Sequence, residues 1–173
     1  MTKPFVNLNE YNAKWEDQFD NERNRIIDAI GDEIAGIEHI GSTSVKGLKA
    51  KPIIDIMAGI ENISSTSALI SPLSEIEFEY VPKPELIFRR FFRKGLWGSG
   101  TCHLHICEIH STEWVEKILF RDYLRKFPGA AQEYALLKSE LAAKYKYDRP
   151  AYTKQKEPFI KNIIEKAKRE FLE

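Results

Sequence analysis

Two short segments contain the residue types that can hold a phosphate group beside a metal ion. Gly41 ends an apolar run and is followed by three hydroxyl residues, and Asp55 lies within the next apolar run. Glycine lets the chain turn sharply and approach a ligand closely, and the free amides of a strand-to-helix corner favour an anion. We therefore predict a phosphate-binding corner at Gly41, Ser42, Thr43 and Ser44.

Asp55 requires a partner of its own. The apolar residues at positions 53, 54, 56 and 57 predict a strand that is buried on both faces. An ionised carboxylate is costly in such a strand unless a cation or hydrogen-bond donors meet it. One interpretation is that Asp55 binds a metal ion. The alternative is that it bonds only backbone amides or Lys51 at the strand end.

A second group of candidate residues is the pair His103 and His105. Strand alternation places both imidazoles on one face, with the apolar residues between and after them facing the other way. The pair suits two metal ligands, or an acid–base group beside a phosphate-binding group, but packed, hydrogen-bonded histidines are an equal alternative. Glu108 has the opposite parity, although a bulge could turn it toward the site as a metal ligand. For His39, a structural role is favoured.

Basic and aromatic residues alternate in segment 88–94, so each face of the predicted strand carries both. The functional interpretation is that Arg90 and Lys94 contact triphosphate oxygens while a ring stacks on a base. The alternative is that these long side chains only cover the edge of a sheet.

A second cationic group lies where a loop enters the last predicted helix. Its members are Arg149, Tyr152, Thr153 and Lys156. The free amides and cations at such a helix start can converge on an anion. The alternative is helix capping by Thr153 with solvated charge around it.

The pattern of apolar residues and breakers predicts the elements that position these groups. An amphipathic helix ends at Gly31 and should cover the sheet, and a helix beginning near Ser64 is disturbed by Pro72. The predicted strands cover about 34–40, 52–60, 78–81, 87–94 and 102–109, and the predicted C-terminal helices cover about 112–127, 130–146 and 153–171. The last two strands should form an antiparallel hairpin joined through Gly95–Gly100.

Composition favours one folded domain over residues 1–173. The chain is 43% apolar and 12% aromatic, and its 26 basic and 26 acidic residues cancel, so no global charge attracts nucleic acid or an anionic membrane. No apolar run approaches the roughly 18 residues of a membrane span, and the start lacks a signal-peptide core. We therefore expect a cytoplasmic protein with free thiols at Cys102 and Cys107, which lie too far apart on one strand to pair.

The segment HIGSTSVKGLKAKPIIDIM, residues 39–57, resembles the signature of the GrpB family in the polymerase-beta-like nucleotidyltransferase superfamily. The resemblance continues through FRRFFRKG, HLHICE, LFRDYLR and DRPAYTKQKEPFI and covers nearly the whole chain. It implies a nucleotidyltransferase fold and transfer of a nucleoside monophosphate from a nucleoside triphosphate to an acceptor, with magnesium. The superfamily pattern has two carboxylates separated by one residue after the Gly-Ser corner. Gly41, Ser42 and Asp55 match, but Met57 occupies the second carboxylate position, which argues against a two-metal mechanism.

We therefore predict an α/β (α+β) protein of nucleotidyltransferase type, with a small mixed sheet flanked by helices and a helical C-terminal half. Its expected partners are a nucleoside triphosphate and a small acceptor, without membrane or nucleic acid. Asp55, His103 and His105 are the expected catalytic residues. The expected phosphate-binding residues are Gly41, Ser42, Thr43, Ser44, Lys51, Arg90, Lys94, Arg149, Tyr152 and Lys156, and the expected ligands of Mg²⁺ are Asp55, His105 and Glu108.

Two other functions remain open at this point. One is a metal-dependent hydrolase that uses His103, His105 and Glu108 around a transition metal. The other is a nucleotide- or phosphoester-binding protein that lost catalysis together with the second carboxylate.

Overall fold

The structure is a computed structural model that describes residues 6–96 and 99–173. Its helices are α1 (Lys14–Ile30), α2 (Ile70–Glu75), α3 (Thr112–Lys126), α4 (Pro128–Lys144) and α5 (Arg149–Leu172). Its strands are β1 (Gly36–Ile40), β2 (Ile54–Ile60), β3 (Glu79–Val81), β4 (Arg89–Leu96) and β5 (Ser99–Glu108). The mixed α and β composition with a helical C-terminal half confirms the predicted fold class. No helix in the described ranges is long and apolar enough to span a membrane.

The strands form one mixed sheet in the order β1-β2-β5-β4-β3. β2 and β5 are parallel, and the other neighbouring strands are antiparallel. The predicted hairpin of β4 and β5 is confirmed, although Trp97 and Gly98 in its connection lie outside the described residues. The register pairs Asp55 of β2 with His103 of β5, so the two candidate segments meet at the centre of the sheet.

One face of the sheet carries the main apolar core. Alternate residues of β2 and β5, such as Ile56 and Leu104, are fully buried there against α1 and α2. Trp15 and Ile26 of α1 belong to the same core. The predicted covering of the sheet by the N-terminal helix is therefore confirmed.

The opposite face is covered at one end by α3. The Trp114 ring lies against Gly36 and Gly59, where a Cβ atom would come within 3.0 Å of it. The α3, α4 and α5 helices join through a second apolar cluster that includes Leu124, Tyr134 and Ile163. Asp55 and the two histidines lie on this face beyond Trp114, where the helices leave a cavity above the sheet.

Two helix starts differ from the prediction. The Asn62 side chain, rather than a serine, accepts the first amide, and a 3₁₀ segment, Ile63–Leu69, precedes α2. Pro72 lies in the first turn of α2, where its missing N–H breaks no helical hydrogen bond. Asp148 caps α5 by accepting from the Ala151 amide, so this helix begins four residues earlier than predicted and Thr153 is not its cap.

Candidate metal and phosphate site

The Gly41 corner has a backbone that requires glycine. Its φ of 74° and ψ of −175° belong to a region that is essentially restricted to glycine. A Cβ atom at Gly41 would lie 2.6 Å from Asp55 Oδ2, so the missing side chain makes room for the carboxylate. A single 3₁₀ turn, Ser42–Ser44, follows the corner.

Asp55, His103 and His105 form one cluster, as the strand alternation predicts. Asp55 Oδ1 lies 3.5 Å from His103 Nδ1 and 3.4 Å from His105 Nε2. One candidate ligand atom from each residue falls within 4.8 Å of the others. The Phe91 ring of β4 contacts both imidazoles, with centroid distances of 5.0 and 5.3 Å, and limits their rotation. The residues the structure describes contain no second group of this kind.

The protonation states in this cluster suit a cation. Burial alone would raise the pKa of Asp55, but hydrogen bonds from His103 and His105 outweigh burial and hold that pKa well below its usual range. Burial lowers the pKa of His105 to about 4, although Asp55 acts in the opposite direction. At neutral pH Asp55 is therefore ionised and His105 is neutral, which are the forms in which these groups bind metals.

The cavity above the cluster has a volume of about 550 Å³ and is bounded by the corner, the sheet, α3, α4 and α5. Its described lining contains more basic than acidic side chains. The basic ones are Lys51, Arg89, Lys117, Lys138, Lys156 and Lys161, and the acidic ones besides Asp55 are Glu113, Glu116 and Glu157. A concave surface with this charge excess attracts and retains an anionic ligand.

Lys138 of α4 connects the cavity to the corner. The side chain is buried, and its Nζ donates to Ser42 Oγ at 2.9 Å and to the Lys49 carbonyl. Burial, followed by the charges of Lys156 and Lys51, lowers the pKa of Lys138 to about 7. Sequence patterns do not single out Lys138, because its position depends on contacts with residues that are distant in the chain.

Lys51, Tyr152 and Lys156 all line the cavity. The Nζ atoms of Lys51 and Lys156 lie 5.4 and 4.7 Å from the centroid of the buried Tyr152 ring. Burial is the largest cause that lowers the pKa of Lys156, to about 8. Arg149 is not part of the cavity lining, although its charge contributes to lowering the pKa of Lys51.

The structure does not place Arg90 and Lys94, the predicted phosphate contacts, in the cavity, because both lie on the opposite face of β4. Arg90 Nη1 donates to backbone carbonyls of segment 86–89, and Lys94 Nζ contacts Glu22 of α1 at 2.9 Å. Phe91 is the residue of β4 that faces the histidines. Arg89 has the same parity as Phe91 and lines the cavity instead.

Glu108, the other predicted metal ligand, does not join the cluster of Asp55, His103 and His105. The Glu108 side chain lies on the face of β5 opposite the histidines, as strand alternation predicts. Its Oε2 accepts a hydrogen bond from the Ile63 amide at 3.0 Å. Ser44 does not line the cavity, because its hydroxyl donates back to the Gly41 carbonyl. Thr43 borders the cavity, but its buried hydroxyl lies 2.9 Å from His39 Nε2.

His39 belongs to the support of the corner. Its ring stacks on Phe19 of α1 at 4.7 Å, and burial lowers its pKa to about 4. The favoured structural role of His39 agrees with these contacts.

The sequence does not identify Lys117 and Lys161 as cavity residues, because spacing alone does not distinguish a basic residue over a cavity from one in solvent.

The sequence model of the GrpB protein family matches residues 5–166. The chain belongs to the GrpB family. Protein YqkA of Bacillus subtilis is 40% identical over 161 residues, which are 92% of this chain and 46% of that protein. The glutamate-rich protein GrpB of Alkalihalophilus pseudofirmus is 33% identical over 168 residues, which are 95% of this chain and 97% of that protein. The chain thus spans less than half the length of the Bacillus subtilis relative.

Solved structures support the same assignment and show the fold. The crystal structure of GrpB from Enterococcus faecalis has a TM-score of 0.88 and 34% identity, and the match covers 96% of this chain and all of that chain. Cid1, solved in complex with the UTP analog UMPNPP, has a TM-score of 0.51 and 12% identity, over 79% of this chain and 43% of Cid1. The second likeness shows a distant structural similarity to a nucleotidyltransferase-like fold.

Proposed function

We propose that the protein is a divalent-cation-dependent nucleotidyltransferase that transfers a nucleoside monophosphate from a nucleoside triphosphate to a small acceptor bearing a hydroxyl or phosphate. The observation that carries the proposal is the cavity itself. It combines a cluster of possible cation ligands with lysines from three helices. The fold shared with Cid1, which was solved with a UTP analog, supports the same choice.

The triphosphate would occupy the side of the cavity nearest the corner. Ser42 and Lys138 are already hydrogen-bonded there, and Lys156 approaches from α5. Charge-assisted hydrogen bonds to phosphate oxygens are about twice as strong as neutral ones, so these residues would contribute much of the affinity. Asp55 would hold the cation, expected to be Mg²⁺ from the resemblance, and the cation would neutralise charge on the transferred phosphate.

The chain's own residues can also remove the proton from the acceptor during the transfer. In the transfer, an acceptor oxygen attacks the α-phosphorus, the bond from this phosphorus to the bridging oxygen breaks, and pyrophosphate leaves. The acceptor proton must pass to a base, and an imidazole of the His103–His105 pair that does not bind the cation suits that role. Both imidazoles lie on the wall of the cavity beside Asp55.

Met57 favours a second candidate function, a phosphoester-binding protein without turnover. Its side chain is buried in an apolar cluster with Ile40, Cys107 and Trp114, so the position has no room for an exposed carboxylate. His105 lies directly across from Met57 on β5 and offers a ligand in place of the missing carboxylate.

The metal-dependent hydrolase that would use His103, His105 and Glu108 is not supported, because Glu108 lies on the other face of the sheet.

Nucleotide binding tests the proposal. Calorimetric titration with ATP, GTP, CTP and UTP, each with Mg²⁺ and with Mn²⁺, should show cation-dependent binding of at least one nucleotide. Lys156→Met should weaken that binding about 10- to 150-fold, the equivalent of about 1.5–3 kcal/mol for a charged hydrogen bond. The matched control is Lys154→Met, which alters an exposed lysine of the same helix outside the cavity and should bind as the parent does.

Turnover separates the two candidate functions. Release of pyrophosphate when acceptors are added supports nucleotidyl transfer. Binding without release for any acceptor supports the binding protein. Absence of binding to all four nucleotides with either cation would overturn nucleotidyl transfer and leave the second candidate only phosphoesters other than these nucleotides.

A further inference from the structure

We infer that Asp55, His103 and His105 form a binding site for a first-row transition ion of the manganese-to-zinc series, in preference to magnesium. The inference deepens the proposed function, since it names the cation class of the same site. It rests on that proposal only for the role that the bound ion would have. With both imidazoles as ligands, neither one serves as the base for the acceptor proton.

Two of the three ligand-to-ligand distances in the cluster also suit coordination of one ion. Ligands at about 2.0–2.2 Å from a tetrahedral ion lie about 3.4 Å from one another. Asp55 Oδ1 lies 3.5 Å from His103 Nδ1 and 3.4 Å from His105 Nε2. Hydrogen bonds of this type are ordinarily about 2.7–3.2 Å long, so both contacts are long for a purely hydrogen-bonded triad.

The donor atoms select the class of ion. Magnesium prefers about six oxygen ligands in an octahedron and keeps several of its waters, whereas imidazole nitrogen suits first-row transition ions. The cluster offers two imidazoles and one carboxylate. The other acidic side chains of the described lining do not belong to the cluster, and Glu113 pairs with Arg89 at 4.0 Å. The described residues therefore provide a nitrogen-rich set rather than an oxygen cage.

The fold holds the three ligands in place before any ion binds. The parallel register of β2 and β5 sets Asp55 directly beside His103. Gly41 leaves space for the carboxylate, and the Phe91 ring contacts both imidazoles. Ligands restrained in this way lose little conformational freedom when an ion binds.

The site is also open on one side. About 30% of the Asp55 and His103 side chains and 15% of the His105 side chain are exposed, and all three line the cavity. Three protein ligands with an open position are typical of catalytic sites, whereas structural zinc sites are closed by four. A phosphate oxygen or a water molecule from the cavity could complete the shell.

The test is a metal titration of the full chain without nucleotide. Protein treated with a chelator and then freed of it should bind Co²⁺ at one site per chain, with visible absorption bands, and Zn²⁺ should compete. Millimolar Mg²⁺ should not displace Co²⁺. Equal affinity for Mg²⁺ and Co²⁺, or absence of a one-site Co²⁺ signal, would overturn the inference.

Variants assign the signal to the cluster. Loss of an outer-shell partner costs about 10- to 100-fold in metal affinity, so His105→Gln and Asp55→Asn should each weaken Co²⁺ binding at least about 100-fold. His110→Asn is the matched control, because His110 is exposed beyond β5 and its φ of 64° is one that asparagine tolerates. Parent-like Co²⁺ binding by both cluster variants would contradict the assignment.

Two further measurements keep the outcomes distinct. The melting temperature of each variant without metal shows whether it folds, and that of the parent should rise with Co²⁺ concentration because the ion binds the native state. Co²⁺ binding without any nucleotide binding would leave the metal site standing while the proposed function fails. Nucleotide binding with Mg²⁺ but without Co²⁺ binding would do the reverse.

Discussion

At the scale of single residues, Gly41 determines whether Asp55 can occupy its position. Gly41→Ala places a side chain in a glycine-only conformation and sets its Cβ 2.6 Å from Asp55 Oδ2. The backbone strain should lower the free energy of unfolding by about 1–3 kcal/mol. Displacement of the carboxylate should also weaken Co²⁺ binding. Urea unfolding and metal titration measure the two effects separately.

Gly47→Ala provides the control for this prediction. Gly47 has a similar positive φ of 84°, but a Cβ atom there would meet nothing within 4 Å. This variant should lose stability from backbone strain while binding Co²⁺ as the parent does. Equal metal affinity in the Gly41 and Gly47 variants would show that the close contact with Asp55 has no influence on the cluster.

The same scale shows which side chains sequence patterns can locate. Alternation placed His103 and His105 on one face correctly, because a strand has a fixed period of two residues. Alternation does not say which face meets the site, which is why Arg90 was chosen where Arg89 lines the cavity. Lys138 depends on contacts with Ser42 and Lys49, about ninety residues away, and only tertiary packing reveals these.

At the scale of elements, the position of α3 depends on two glycines beneath Trp114. Gly59→Ala would place a Cβ 2.7 Å from Ile109 Cδ1 and 3.0 Å from the Trp114 ring, so α3 or the strand must move. Overpacking of this kind costs about 1–3 kcal/mol. We therefore expect a lower urea midpoint for Gly59→Ala, measured by circular dichroism.

Gly129→Ala is the comparison, since a Cβ atom at this glycine of α4 meets nothing within 4 Å. It should leave the midpoint unchanged or raise it, because alanine reduces the freedom of the unfolded chain. If the two variants unfold at the same midpoint, α3 tolerates the added methyl group and does not depend on close contact with β2.

The sequence predicts the boundary of an element correctly where a breaker such as glycine, or a run of apolar residues, marks it. The end of α1 at Ile30 coincides with the breaker Gly31, and the strand with Asp55 was found from its apolar residues. The start of α5 lies earlier than the sequence predicts, because Asp148 caps it and Pro150 fits its first turn, although both residue types are also common in loops. The order of the strands depends on packing between distant segments, and local patterns do not contain it.

At the scale of the whole molecule, the charges cancel in number but not in position. The chain has 26 basic and 26 acidic residues, yet basic side chains outnumber acidic ones in the described cavity lining. A net charge of zero therefore does not exclude a local positive charge that would attract a polyphosphate. Attraction of this kind is screened by salt least where the charges are buried.

The buried lysines should make anion binding depend on pH. In the free protein the pKa values are about 7 for Lys138 and about 8 for Lys156, with Lys51 as a further nearby charge. Both lysines lose protons as pH rises from 7 to 9, whereas a bound anion favours their protonated forms. Binding of inorganic tripolyphosphate should therefore weaken over this range and take up protons.

Calorimetry in buffers of different ionisation enthalpy measures the proton uptake. Tripolyphosphate loses its own last proton within this range, so a titration of the free anion supplies the correction. Lys138→Met should reduce the uptake and flatten the pH dependence of affinity, whereas Lys154→Met should not. Without ligand, the free energy of unfolding should instead rise as pH rises over this range. A lysine whose pKa is lower in the folded than in the unfolded state makes the fold bind fewer protons, so its unfavourable effect on stability fades as pH rises above about 7. If proton uptake and the pH dependence of tripolyphosphate affinity are the same in Lys138→Met as in the parent, Lys138 does not hold the anion.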